Sequence, residues 1–258
     1  EFLKAVKEDP YQIENAEKAF KKDKEIVLIA VSQNGSVLEY AHASLKKDRE
    51  VVLAAVKNAG NAIEFADKLF RKDKEIIMTA LEEYGDYLQY ADVSLKKDKK
   101  IVMMAIKTAG ESLEFADASF KKDKEVVLMA INQKSNALEF ADSSLKKDKK
   151  IVMIAVEQNG YSLKYADASL KKDREIVLVA VKSNGNSLND VDKSLKKDKE
   201  ITLAAVNSTG SSLEYADDIF KKDKEIVLAA VKNEAAAIEY ADKSLQKDKD
   251  IIKASKKK

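Results

Sequence analysis

The 258-residue sequence predicts an all-α fold, an α-solenoid of tandem 25-residue helix-turn-helix repeats. A charged phrase followed by an apolar run returns at a fixed interval without insertion or deletion, and all seven glycines occupy one slot of the repeat. The aspartates that mark the period are Asp23, Asp48, Asp73, Asp98, Asp123, Asp148, Asp173, Asp198, Asp223 and Asp248. We therefore predict a single array with an N-terminal partial unit at 1–22, nine full repeats over 23–247 and a C-terminal capping unit at 248–258.

Helix A is the first element predicted in each repeat, and the repeat aspartate opens it. Positions are counted from that aspartate, so that Asp48 is position 1 and Lys72 is position 25. Aspartate is a preferred N-cap, and apolar side chains from position 4 to position 9 predict a helix over positions 2 to 12. The glycine at position 13 predicts a left-handed residue that ends this helix. Ser135 and Ala235 replace that glycine, and we expect a strained turn or a frayed helix there.

A second helix, helix B, is predicted over positions 14 to 23. Ser36 and Glu39 illustrate the Ser-x-x-Glu spacing of a capping box at its start. Residues at positions 16, 18, 19 and 23 are mostly apolar or aromatic and form one stripe on an α-helical projection, so we assign them to the core. The lysines at positions 24 and 25 favour a helix C-terminus, where cations meet the negative end of the helix dipole.

The composition excludes several kinds of site. With 47 basic and 45 acidic residues the formal charge is +2, so the chain is not a polycation that binds nucleic acid through its net charge. It has no cysteine and one histidine, which excludes thiolate sites and histidine clusters for metals. The longest apolar runs are six residues, whereas a membrane-spanning helix needs about 20. We therefore expect no cofactor, no metal ion and no membrane partner.

The repeat unit resembles a known family. Asp223 opens the run Asp-Lys-Glu-Ile-Val-Leu-Ala-Ala-Val, and Leu213-Glu214-Tyr215-Ala216-Asp217 illustrates the second half of the unit. These motifs resemble the domain-of-unknown-function family numbered 4116 over nearly the whole chain. The resemblance implies a short α-helical tandem repeat found mainly in microbial and protist proteins, with no established activity and no functional residue to transfer. The chain departs from the pattern at Asn189-Asp190-Val191.

The repeated charges have a chemical interpretation and a structural one. The Lys-Lys-Asp-Lys loops would line one edge and track phosphates, as helical-repeat RNA-binding proteins do. Carboxylates at positions 1, 3, 17 and 20 accompany these lysines and would screen their field within about 8 Å. The aspartates at positions 1 and 20 lack the clustered spacing of a calcium loop. Because a catalytic carboxylate pair belongs to one place and these groups recur, we predict no catalytic residue and no enzyme.

Single departures from the repeat are the candidates for a contact site. Tyr84 and Tyr87 occupy slots that are polar or small elsewhere, and Tyr90 follows in the aromatic slot assigned to the core. Tyrosine is enriched at protein interfaces, so we predict a protein-contact patch at Tyr84 and Tyr87, with His42 as the third candidate contact residue. His42 stands where other repeats have an acidic residue; an unpartnered surface histidine and a pH-sensitive contact are the two interpretations. Asp190 replaces an aromatic residue and is expected to weaken packing.

The function predicted from the sequence is a non-enzymatic helical-repeat scaffold for protein binding or spacing. The variable positions 7, 10 to 12, 14, 15, 21 and 22 would carry specificity, because the core and cap positions are shared. A self-associating structural protein, either a filament or a surface protein, is the alternative. Nucleic-acid binding along the lysine loops is the third and least favoured, and it predicts a steep loss of affinity with salt.

Overall fold

The computed structural model describes residues 1–256, and this part of the chain folds into helices and turns without a β-strand. Contacts divide the chain into two compact units, Glu1–Lys134 and Ser135–Lys258. Within each unit, helix A of one repeat packs beside helix A of the next, and the segments that follow helix A pack on one another in the same order. The predicted all-α helical repeat is confirmed.

Helix A forms as predicted and runs from position 2 to position 11 in the full repeats. The carboxylate of Asp73 shows the cap, because it accepts hydrogen bonds from the backbone N–H of Glu75 at 3.1 Å and of Ile76 at 3.2 Å. The first N–H groups of a helix have no partner within the helix, and such a cap satisfies them. The A helices are Phe2–Glu8, Lys24–Gln33, Arg49–Asn58, Lys74–Glu83, Lys99–Thr108, Lys124–Gln133, Lys149–Gln158, Arg174–Ser183, Lys199–Ser208, Lys224–Asn233 and Lys249–Ser255.

Helix B is not one helix, so that prediction was wrong. A 3₁₀ helix, segment B1, follows helix A, and a short α or 3₁₀ helix, segment B2, comes after a break. The B1 segments are Pro10–Ile13, Gly35–Tyr40, Gly60–Glu64, Gly85–Tyr90, Gly110–Phe115, Ser135–Phe140, Gly160–Tyr165, Gly185–Asp190, Gly210–Tyr215 and Ala235–Tyr240. The B2 segments are α-helical at Lys18–Lys22, Val93–Lys96, Ala118–Lys122, Ser143–Lys146 and Asp218–Lys221, and 3₁₀ at Leu45–Lys47, Lys68–Lys72, Leu170–Lys172, Leu195–Lys197 and Leu245–Lys247.

The break between B1 and B2 arises from a contact with the preceding repeat. The backbone at Asp92 is extended, and its N–H donates to the carbonyl of Arg71 at 2.8 Å. The Asp92 carboxylate then caps B2 by accepting a hydrogen bond from the N–H of Ser94 at 3.0 Å. Nζ of Lys96 donates to the carbonyl of Gln89 at 2.9 Å, near the end of B1. Asp92 is therefore the N-cap of a new helix and not a residue inside helix B.

Where asparagine occupies position 12, at Asn34, Asn159 and Asn184, its side chain caps segment B1, and the cap does not come from position 14 as the capping-box spacing predicted. The side-chain oxygen of Asn34 accepts a hydrogen bond from the N–H of Ser36 at 3.0 Å. The hydroxyl of Ser36 instead donates to Oδ1 of Asn61, one repeat further along, at 3.1 Å. Position 14 therefore joins neighbouring repeats.

Glycine at position 13 permits a close approach between repeats. No glycine within residues 1–256 has a positive φ, so the predicted left-handed helix end was wrong. A Cβ atom on Gly210 would lie 2.5 Å from the carbonyl oxygen of Ala230 in the next repeat, far inside van der Waals contact. Ser135 and Ala235 begin B1 segments of the usual length, so the expected fraying is not found there either.

The core of each unit lies between the layer of A helices and the layer of B1 segments. Isolated helices of about ten residues are too short to persist in water. Burying one Leu, Ile or Val side chain contributes about 1.5–3 kcal/mol, so packing between layers and between repeats stabilises them. The 73–97 repeat contributes five fully buried side chains, Ile76, Ile77, Ala80, Leu81 and Leu88.

Candidate protein-contact surface

Three tyrosines form a continuous row on the 73–97 repeat, which we call the tyrosine stripe: Tyr84, Tyr87 and Tyr90. Segment B1 of this repeat is the 3₁₀ helix Gly85–Tyr90, which has three residues per turn, so side chains three apart stack on one face. The ring centroids of Tyr84 and Tyr87 are 5.9 Å apart at an angle of 80°, and those of Tyr87 and Tyr90 are 6.5 Å apart. Both distances lie in the range of favourable aromatic pairs.

The stripe is accessible at one end and packed at the other. Tyr84 is 45% exposed, whereas Tyr87 and Tyr90 are half-buried. The ring of Tyr87 lies against the preceding repeat, where a Cβ atom on Gly60 would be 2.8 Å from its Cε2 atom. Tyr90 was assigned to the core from the sequence, and its half-buried position corrects that assignment.

A shallow depression of about 170 Å³ adjoins the exposed end of the stripe. Its lining includes Tyr84, Thr108, Glu111 and Lys134. Lys134 Nζ is 2.5 Å from Glu111 Oε2, so these two charges neutralise each other at the edge of the depression.

Carboxylates surround the three phenols. A hydrogen bond to Asp86 is the main reason that the pKa of Tyr84 is raised. Burial, followed by the charge of Glu83, raises the pKa of Tyr87. For Tyr90, burial again raises the pKa most, and a hydrogen bond to Glu64 adds to the effect. The phenols are therefore neutral hydrogen-bond donors in negative surroundings.

His42 has a structural role and does not join the stripe. Its Nδ1 accepts a hydrogen bond from the N–H of Ser44 at 3.2 Å and lies 2.9 Å from the Ser44 hydroxyl, so it caps as the position 20 aspartates do. Burial, followed by the charges of Lys22 and Lys18, lowers the pKa of His42, which favours the neutral ring that this cap requires. The interpretation of His42 as an unpartnered surface histidine was wrong.

Asp190 lies at position 18, which is half-buried in every full repeat and is not a core position. The expected weakening of the core at Asp190 therefore rested on a wrong assignment of that slot. The neighbouring backbone keeps its usual contact, because Lys196 Nζ donates to the carbonyl of Asn189 at 2.9 Å.

The basic residue at position 2 binds carboxylates of the next repeat. Arg49 Nε is 2.7 Å from Asp73 Oδ2, and its terminal nitrogen is 2.6 Å from Glu75 Oε2. The hydrogen bond from Arg49 is the main reason that the pKa of Asp73 is lowered. The same pairing joins Lys24 to Asp48 and Glu50, Lys99 to Asp123 and Glu125, Lys149 to Asp173 and Glu175, Arg174 to Asp198 and Glu200, Lys199 to Asp223 and Glu225, and Lys224 to Asp248 and Asp250.

The lysine at position 24 is also engaged within its own repeat. Lys46 Nζ donates to the carbonyl of Glu39 at 2.6 Å, and Lys146 Nζ donates to that of Glu139 at 2.6 Å. Burial is the main cause that lowers the pKa of Lys46. Many of the loop lysines therefore bind carbonyl or carboxylate groups of their own chain, although the sequence alone suggests a free basic edge.

Position 11, predicted to be variable for specificity, joins neighbouring repeats instead. The Asn58 amide donates to the carbonyl of Ser32 at 2.9 Å, and its Oδ1 accepts from the N–H of Gly35 at 2.7 Å. Asn233, seven repeats further along the chain, makes the same two contacts with Asn207 and Gly210. A single polar side chain thus satisfies groups at the end of one helix A and the start of the following B1.

A second half-buried surface follows the A helices, and the sequence analysis missed it. Positions 6 and 7 are half-buried in the full repeats, although they belong to the apolar run. Methionine adapts to irregular and varied contacts, and all five methionines of the chain lie at these two positions. They are Met78, Met103, Met104, Met129 and Met153.

The part of the chain that the structure describes has neither a metal-binding cluster nor a membrane-spanning helix. Across residues 1–256, no three His, Cys, Asp or Glu side chains come together in a way that would hold a metal ion. In the same range, every helix is too short or too polar to cross a bilayer.

A model of a known family matches the chain at successive places. The family model described as Domain of unknown function (DUF4116) matches residues 1–46, 31–71, 73–121, 123–171, 148–196, 173–221 and 223–258. No curated protein and no solved structure matched the chain. The family matches cover nearly all of the sequence and confirm the resemblance noted above. The chain therefore belongs to the DUF4116 family and is a tandem array of its repeat.

Proposed function

We propose that this protein is a non-enzymatic scaffold that binds a protein partner through the tyrosine stripe. The observation that carries the proposal is the row of stacked rings, with Tyr84 45% exposed, on a repeat whose backbone matches that of its neighbours. The stripe departs from the repeat in side chains alone, which favours a role in contact over a role in folding.

Tyrosine suits such a contact for physical reasons. Its ring offers a large apolar area with only two side-chain torsions to fix, and its hydroxyl adds a hydrogen bond. Stacking within the stripe already restricts the rings before a partner arrives, so less conformational entropy is lost on binding. The packing of Tyr87 against Gly60 supports the same pre-organisation.

The internal use of the cations disfavours nucleic-acid binding. Affinity for a phosphate backbone depends on cations that release counterions, and the basic residues at positions 2 and 24 bind carboxylates or carbonyls of this chain. The self-associating alternative makes a separate prediction. Light scattering after size-exclusion chromatography would report a mass that rises with concentration, whereas the scaffold predicts a constant 28.7 kDa.

Affinity capture with matched variants tests the proposal. The stripe variant, Tyr84→Asn with Tyr87→Ser, takes the residues that Asn184 and Ser187 supply at the same positions of another repeat. Tyr161→Asn is the control, because Tyr161 is 44% exposed in the other unit and asparagine occurs at its position in other repeats. We expect the stripe variant to lose at least one protein that wild type and control both retain. Identical captured proteins for all three would contradict the proposal.

A further inference from the structure

The repeat that carries the tyrosine stripe is also the most acidic repeat. Residues 73–97 contain six carboxylates and three lysines, whereas the equivalent span 173–197 contains four carboxylates and five basic residues. The carboxylates of the 73–97 repeat are Asp73, Glu75, Glu82, Glu83, Asp86 and Asp92. No basic residue lies between Lys74 and Lys96, so the stripe falls within an uninterrupted acidic stretch.

Charged groups that face the stripe come from several repeats. The carboxylates that act on the three phenols are Glu64, Glu83, Asp86 and Glu111. The cations near the rings are Lys134, which binds Glu111 at 2.5 Å, and Arg71, which acts on Tyr90. Four carboxylates against two cations leave the surroundings of the stripe negative.

Two of the three lysines of the same repeat, Lys74 and Lys96, have partners outside the tyrosine rings. Lys74 Nζ is 2.6 Å from Asp98 Oδ2 in the next repeat. Lys96 Nζ donates to the carbonyl of Gln89 at 2.9 Å. Neither side chain supplies a cation to the faces of the tyrosine rings.

Another repeat shows how a position 18 tyrosine receives a cation. Lys164 Nζ lies 5.5 Å from the ring centroid of Tyr165, within the range of a cation–π contact. The residue equivalent to Lys164 in the stripe repeat is Gln89, an exposed neutral side chain. Tyr90 therefore has the ring but lacks the cation that its own repeat would supply.

We propose that the tyrosine stripe binds a basic segment of a partner protein, with arginine or lysine side chains over its rings. This inference rests on the proposed function and adds the chemistry of the partner. Arginine fits best, because its planar guanidinium stacks on a ring and also donates to carboxylates in a forked geometry. An acidic segment or a polyanion would meet repulsion from the surrounding carboxylates.

A fluorescence-anisotropy titration with synthetic peptides tests the inference. The probe is a labelled 12-residue peptide of alternating Arg and Gly, and peptides that alternate Glu with Gly and Ser with Gly are its controls. The stripe variant removes two rings. Gln89→Lys supplies the cation found as Lys164 in another repeat, and it alters an exposed side chain, so the fold is retained.

We expect the Arg-Gly peptide to bind wild type with micromolar to millimolar affinity, and the other two peptides to bind at least tenfold more weakly. Gln89→Lys should raise the Kd of the Arg-Gly peptide about fivefold. The added cation would take the place of a peptide cation at the ring of Tyr90, and its charge would repel the arginines of the peptide. The control Asn207→Lys makes the same charge change at an exposed position of the other unit and should change Kd less than twofold.

Several results would overturn the inference. They are no binding of the Arg-Gly peptide at about 1 mM, equal Kd values for wild type, Gln89→Lys and the stripe variant, or equal binding of the Glu-Gly peptide. If such a result occurs while the stripe variant still loses its captured protein, the basic segment is wrong and the protein contact stands. If capture is also unchanged, both proposals fail.

Discussion

The 73–97 and 173–197 repeats have the same helix A and segment B1 but different side chains on their surfaces. Both contain a ten-residue helix A followed by a six-residue 3₁₀ helix. They differ at positions 15 and 18, which lie three residues apart in that 3₁₀ helix, and at position 12, the extended residue that precedes it. These are Tyr84, Tyr87 and Tyr90 in the first repeat and Asn184, Ser187 and Asp190 in the second. The comparison shows that side chains of different size and charge at these three positions are compatible with the same helix A and segment B1.

The contacts that the two repeats share should be the most sensitive to mutation. Gly85 and Gly185 both lie where a Cβ atom would overlap the carbonyl of the next helix A, at Ala105 and Ala205. Gly85→Val and Gly185→Val should each reduce the free energy of unfolding by about 3 kcal/mol, the upper range for overpacking. Urea unfolding followed by circular dichroism measures this. A loss below about 1 kcal/mol in either variant would show that the approach is not tight there.

The helix cap comes next in size. Asp73→Ala and Asp173→Ala should each reduce the free energy of unfolding by about 1–2 kcal/mol, because two backbone N–H groups lose their acceptor and a basic residue loses its partner. Asparagine is an equally good cap, so Asp73→Asn should retain more than half of that stability. Equal losses for Asp73→Asn and Asp73→Ala would assign the effect to charge instead of capping.

Acid should weaken both repeats through the same aspartates. The pKa of Asp73 is below its unfolded value of about 3.9, mainly because of the hydrogen bond from Arg49. Its ionised form therefore contributes stability above the unfolded pKa, and this contribution is lost as the pH falls through the lower folded-state pKa. The urea concentration at the unfolding midpoint, measured from pH 6 to pH 2, should decrease once the pH is below about 4. The decrease should be smaller in Asp73→Asn. A midpoint that is constant over this range would contradict the account.

A smaller effect is expected at position 15. The hydroxyl of Ser187 is buried and has no hydrogen-bond partner among the described residues, whereas that of Ser112 donates to the carbonyl of Ala109 at 2.5 Å. Ser187→Ala should raise the free energy of unfolding by about 1 kcal/mol, because a buried unpaired hydroxyl is unfavourable. Ser112→Ala is the matched variant and should have no stabilising effect. Equal changes in the thermal midpoint for both variants would show that the missing hydrogen bond of Ser187 does not lower stability.

The smallest expected effect is at position 18. Asp190→Tyr restores the ring that all eight of the other full repeats have as Tyr or Phe at a comparable half-buried site, including Tyr90. We expect a gain of about 0.5 kcal/mol in the free energy of unfolding, since only part of the ring leaves water. A gain above about 2 kcal/mol in urea unfolding would place the side chain in the core, as the sequence analysis first assigned it.

The sequence predicted the period, helix A and its aspartate cap because these features depend on local contacts. It failed for helix B because the N–H of Asp92 bonds to Arg71 of the preceding repeat, a contact that the Ser-x-x-Glu spacing does not reveal. Tyr90 was placed in the core because the projection used 3.6 residues per turn. With the three residues per turn of a 3₁₀ helix, Tyr87 and Tyr90 fall on one half-buried face, beside the exposed Tyr84 that precedes the helix.

The central claim is that the tyrosine stripe binds basic segments and that the fold of the repeat array does not require the stripe. The most direct test measures the Kd of the Arg-Gly peptide and the thermal midpoint together, for wild type and Tyr84→Asn. Tyr84 is 45% exposed, so its replacement should leave the midpoint within about 2 °C of wild type while Kd rises at least threefold. An unchanged Kd at the same midpoint would contradict the account, and so would a fall of the midpoint large enough to explain the lost binding.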